Sequence, residues 1–124
     1  LLGQMLAAAP AEHWVLKGYY DNASLTTAAR EVGIATWGYY YARDMGKLAA
    51  TAKNWDMLGL ELNAAPAQWS TAEQWAMVEA QGGPVIAFFI AGEETLAEAT
   101  TKGADGMMVS DIPATLATPQ GSAS

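Results

Sequence analysis

Apolar runs alternate with amphipathic stretches along the whole chain. Five runs stand out: WVLKGYY from Trp14 to Tyr20, IATWGYYYA from Ile34 to Ala42, MLGLELN from Met57 to Asn63, PVIAFFIA from Pro84 to Ala91, and GMMV from Gly106 to Val109. Each is short, and most are rich in β-branched or aromatic residues, so each predicts a strand. Four helices are expected between them. In DNASLTTAAREVG, Asn22 serves as N-cap, Leu25, Ala28, Ala29 and Val32 recur at helical spacing, and Gly33 closes the helix. RDMGKLAATAKN follows, with Asp44 as cap and Met45, Leu48, Ala49 and Ala52 on one face. STAEQWAMVEAQGG opens with Ser70 and Glu73 at capping-box spacing, buries Trp75 and Val78, and stops at Gly82 and Gly83. GEETLAEATTKG has acids in its first turn, Lys102 in its last and Gly103 just beyond, the arrangement a helix dipole favours.

The strands therefore begin near residues 14, 34, 57, 84 and 105, one βα unit every 20 to 27 residues. Their near-continuous apolar character requires cover on both faces, as in parallel sheets flanked by helices. The predicted class is α/β with parallel βα repeats. Periodicity alone leaves an open sheet and a closed barrel as alternatives. Residues 1–116 read as one body and 117–124, ATPQGSAS, as a flexible tail.

Composition narrows the functions. At 52% hydrophobic and 15% charged, the 124 residues are too apolar for disorder. A net charge of −7 opposes phosphate backbones, so no nucleic-acid partner is expected. A small anionic ligand remains compatible, because one lysine in a pocket acts at close range. The absence of cysteine excludes disulfides, thiolate catalysis and cysteine-bound metals. No apolar run approaches the roughly 20 residues of a bilayer-spanning helix, so no membrane span is expected, and the compartment stays open.

In parallel α/β folds ligands meet the carboxyl ends of the strands. Lys17 lies in the first strand, Glu61 ends the third, and Ser110 and Asp111 follow the fifth. A lysine inside an apolar strand must snorkel, pair or face a wet pocket. Glu61 stands between Leu60 and Leu62, which face the other way, and a structural ion pair is the rival reading for it. Asp111 before Ile112 and Pro113 also fits a turn. His13, the single histidine, precedes the first strand and belongs to the opposite rim in a structural role. No GxGxxG, Walker or HExxH pattern occurs, and no histidine is placed to activate a serine or threonine.

With these positions laid out, GGPVIAFFIAGEETLAEATTKGADGMMVSDIP resembles the ending of the glycerophosphodiester phosphodiesterase family, which are TIM barrels. That ending reads as a strand closing in W-T-V-N, an acidic-start helix, and G-A/V-D-G-I-I/M-T-D-x-P. Phe88 stands at the tryptophan position, Phe89 at the threonine and Ala91 at the asparagine; Gly103, Ala104, Asp105 and Gly106 match outright, and Asp111 and Pro113 match with one added residue. WVLKGYYDNASL is similar to the family's middle strand and following helix.

The resemblance implies strands four to eight of a (β/α)8 barrel that hydrolyses glycerophosphodiesters with one calcium or magnesium ion. The family's catalytic histidines and its metal-binding Glu-x-Asp lie on earlier strands. H-R-G and that carboxylate pair do not occur in these residues, so no catalytic or metal-binding role carries over. Carried over residue by residue, Lys17 offsets phosphodiester charge, Glu61 is a polar supporting group, Phe88 a wall and Asp111 the rim. The implied partners are the small phosphodiester and either the preceding half of the barrel or a second copy. Two alternatives stand beside this: another phosphate-binding barrel, such as an aldolase or isomerase of sugar phosphates, and a non-catalytic half-barrel that dimerises.

Overall fold

The computed structural model describes residues 2–65 and 68–109. After a short helix α1 (Leu2–Ala8) and a 3-10 turn at Ala11–His13, the chain enters β1 (Val15–Tyr19), α2 (Ala23–Val32) and β2 (Ala35–Tyr40). A 3-10 segment at Ala42–Lys47, a single α-turn α3 (Leu48–Thr51) and a 3-10 turn at Ala52–Asn54 lead to β3 (Met57–Glu61). A small pair of strands, β4 (Asn63–Ala65) and β5 (Gln68–Trp69), precedes α4 (Ala72–Glu79), β6 (Val85–Ile90), α5 (Glu93–Lys102) and β7 (Gly106–Val109).

The expected α/β class is what forms. Five parallel strands make the main sheet in the order β1-β2-β3-β6-β7, and the sheet curls into a half-barrel. The order never doubles back. Right-handed crossovers between strands taken in sequence put the intervening helices, α2 to α5, on the same face. That convex face carries the core: Tyr40, Leu58, Leu60, Val85 and Ala87 from the strands meet Leu48, Trp75, Val78, Leu96 and Ala99 from the helices, all buried. Two glycines make room for one large ring there. A Cβ at Gly38 would lie 2.4 Å from Trp55, and one at Gly18 2.9 Å from the same indole. Trp55 fills that space and donates its Nε1–H to the Tyr20 carbonyl at 3.0 Å.

Helix ends follow the expected chemistry with instructive shifts. Asn22 accepts from the Leu25 N–H at 3.3 Å, and Gly33 and Gly103 close α2 and α5 at φ 76° each. The capping box of α4 is moved by one residue: Thr71 caps and Gln74 reciprocates, in place of Ser70 and Glu73. Ser70 is buried instead, donating to the Leu62 carbonyl and accepting from Trp75 Nε1 at 2.8 Å. The tryptophan needs a buried acceptor, and the serine beside the helix start supplies it.

Residues 42–54 also depart from the single helix expected there. Their 3-10 turns carry three residues each, so the projected stripe breaks: Leu48 and Ala52 are buried while Ala49 is exposed. The run Met57–Asn63 is likewise divided. β3 ends at Glu61, the chain bends at Leu62, and Asn63 begins the antiparallel β4–β5 pair.

Two aspartates pin neighbouring strands by the same device. Asp56, just before β3, accepts the backbone N–H of Thr36 in β2 at 2.8 Å, and Asp105, just before β7, accepts that of Val85 in β6 at 2.9 Å. The partners are twenty residues apart in both cases. The aspartate of the G-A-D-G sequence is thus a strand-register group in this chain.

Candidate functional site

The parallel register carries side chains from different strands onto one level. Lys17 pairs with Trp37 and Trp37 with Met57; one step on, Tyr19, Tyr39 and Gly59 lie abreast; beyond them Glu61 pairs with Phe88 and Phe88 with Met108. Since alternate residues share a face, these side chains project from the concave side, opposite the helices. They enclose a small cavity of about 60 Å³ lined by Lys17, Trp37, Tyr39, Tyr41, Phe88, Phe89 and Met108.

Trp37 forms its floor. Only 8% of its surface is exposed, and a Cβ at Gly59 would stand 2.4 Å from its ring. The glycine is what lets the indole lie against the sheet. Phe88, 3% exposed, meets Trp37, Tyr39 and Tyr41 at ring separations of 6.2, 5.7 and 5.9 Å, the last two edge-to-face. Lys17 keeps its ammonium among these rings, 5.5 Å from the centre of Tyr39 and 5.9 Å from that of Trp37, with Met108 Sδ at 3.8 Å. Cation–π attraction holds it in place without neutralising it. Among the described residues the single ion pair is Lys102 with Glu98 on α5, so no described carboxylate pairs with Lys17 at the cavity.

The carboxylates of this rim have other work. Glu61 Oε1 accepts the Ala42 N–H at 2.6 Å. Asp44 Oδ2 accepts both the Tyr19 hydroxyl at 2.7 Å and the Tyr41 N–H at 2.9 Å. Together they fix the segment leaving β2, and Asp44 acts three residues inside the 3-10 turn instead of as the cap expected of it. The Tyr19 hydroxyl is pushed up to about 12, first by removal from water and then by the hydrogen bond and charge of Asp44. It stays protonated at neutral pH, a donor and not a base.

Lys17, Glu61 and Phe88 are therefore brought to one rim, while Asp111 lies outside the described residues, as do Ser110 and the tail at 117–124. His13 sits in the turn before β1, at the amino-terminal rim. Trp37 and Met108 are site residues that sequence reasoning missed, whereas Tyr39 and Tyr41 come from the tyrosine-rich end of the second apolar run, where a tyrosine-lined rim is expected. Their signal was present: Trp37, Tyr39 and Tyr41 alternate, and residues 17, 37 and 57 are separated by equal intervals of one βα unit.

A larger cavity, about 320 Å³, opens at the amino ends of the strands between Arg30, Ile34, Thr36, Asn54 and Asp56. Its carboxylate is engaged with the Thr36 N–H and hydroxyl. Parallel sheets place ligand chemistry at the opposite end, where the lysine and rings converge. At that end Glu61 and Asp44 are held by backbone donors, and among the described residues no three acidic or imidazole groups come together. No described helix is long and apolar enough to cross a membrane.

No family model matches the chain, and no curated protein matches it significantly.

Proposed function

We propose that this chain is the carboxyl-terminal part, about strands four to eight, of a TIM barrel that hydrolyses glycerophosphodiesters, and that it supplies the substrate-binding wall. The observation that supports the reading is the Lys17 ammonium, without an ion-pair partner among the described residues and framed by aromatic rings on the concave face. The ammonium meets the anionic phosphate oxygen, and Phe88 and Trp37 cover the apolar part of the ester. Glu61 and Asp44 hold the adjoining segment so that Tyr41 keeps its place in the wall. Proton transfer and metal binding fall to residues of the preceding strands, where the family resemblance puts them.

The test is binding, since no hydrolytic group is assigned to these residues. Glycerophosphoethanolamine titrated against the chain should quench tryptophan fluorescence saturably through Trp37. Lys17→Met should weaken that binding about ten-fold, the loss of a charge-assisted contact of roughly 1.5 kcal/mol. Absence of saturable binding, or equal affinity in the Lys17→Met variant, overturns the reading.

The exposed apolar groups at both edges of the sheet favour a second reading, an assembly module. Val15 on β1 is 50% exposed and Met107 on β7 37%. A chain that dimerises in solution yet ignores the diester would establish it in place of the first.

A further inference from the structure

A second cation stands at the same rim. Arg43 lies in the 3-10 segment that leaves β2, with its guanidinium carbon 4.5 Å from the centre of the Tyr41 ring. Its two neighbours in sequence are both held. Ala42 gives its N–H to Glu61, and Asp44 receives the Tyr19 hydroxyl and the Tyr41 N–H. The backbone that carries Arg43 is thereby fixed on both sides.

Tyr41, on which Arg43 rests, is 6.0 Å edge-to-face from Tyr39, on which Lys17 rests. Arg43 is also near enough to Tyr19 for its charge to counter the rise of that hydroxyl. Two cations thus ride on adjacent rings of one wall, in a chain whose net charge is −7. Neither forms an ion pair among the described residues, and the acids beside them, Asp44 and Glu61, accept from the segment itself.

We infer that this wall takes a ligand with two anionic groups, a phosphodiester whose alcohol also bears a carboxylate, with Lys17 on the phosphate and Arg43 on the carboxylate. The inference rests on the diester reading of the cavity and adds the head group to it. A planar guanidinium held over a ring presents its N–H groups in a fork that matches a carboxylate, which a mobile ammonium does not.

Glycerophosphoserine and glycerophosphoethanolamine differ by that one carboxylate and are the probes. The full chain should bind the serine diester about five- to ten-fold more tightly than the ethanolamine diester, by fluorescence titration at fixed ionic strength. Arg43→Gln should abolish the preference by weakening the serine diester; Arg43→Lys should retain part of it. Arg43 is exposed, so both variants should fold, which near-ultraviolet dichroism checks. Equal affinity for the two diesters in the unaltered chain, or an undiminished preference in Arg43→Gln, overturns the inference and leaves the diester reading standing. Failure of both diesters to bind removes the two together.

Discussion

Replacing Gly59 by alanine tests how the cavity floor is made. The new methyl group would stand 2.4 and 2.7 Å from two carbons of the Trp37 ring and 3.3 Å from the Ile86 carbonyl oxygen. Carbon atoms pack at about 3.5 Å, so the indole must withdraw by roughly 1 Å. It has little freedom to do so, because Tyr39 and Phe88 each lie 6.2 Å from it ring to ring.

Overpacking of this kind costs about 1–3 kcal/mol. The alanine recovers roughly 0.4–1 kcal/mol by restricting the unfolded chain. A net loss of about 1–2 kcal/mol is expected, a substantial part of the ~5–15 kcal/mol that holds a typical domain. Urea unfolding followed by tryptophan fluorescence measures it. Trp37→Leu in the same chain removes the obstructing ring, so the double variant should show a favourable coupling of about 1 kcal/mol. The displaced indole also intrudes on the cavity, and diester affinity should fall with stability. A loss below about 0.5 kcal/mol, or an absence of coupling to Trp37, would refute the claim that the glycine seats the ring.

Two further outcomes follow from local chemistry. Thr71→Ala should destabilise the chain by about 1 kcal/mol as a lost N-cap, whereas Glu73→Ala should change unfolding by less than about 0.5 kcal/mol, because Gln74 closes the box; equal effects would contradict the cap geometry. In alkaline titration, tyrosinate absorbance should include a late component from Tyr19 near 12, and Asp44→Asn should bring it earlier. The folded value lies above the unfolded value of 10.0, so the stability it contributes is complete below pH 10 and is lost as pH rises through about 12. Tyrosines that all titrate together near their ordinary value would refute it.

The repeats, the class and most helix ends were legible because they depend on short-range pattern. Asn22, Gly33 and Gly103 act within one turn of where they stand. The α4 cap slipped by one residue because Ser70 was recruited by Trp75, a tertiary demand that spacing does not express. The broken helix at 42–54 has a similar origin: Asp44 turns back to Tyr41 and Tyr19 instead of simply starting a helix. Lys17 was singled out by its incongruity in an apolar strand, and Glu61 by its flanking leucines. Trp37 was missed because a tryptophan in an apolar strand looks like packing until register places it beside Lys17. Arg43 had no sequence signal apart from its neighbourhood.

The paired clasps of Asp56 on β2 and Asp105 on β6 have a consequence for how such a chain can be rearranged. Each clasp joins only adjoining strands, and both of its groups lie at their amino-terminal margin. Alignment at those seams is therefore decided locally, with no reference to distant units. A segment transplanted together with its own aspartate and the amide it grips carries its alignment with it, so chimaera joints belong outside residues 36–56 and 85–105.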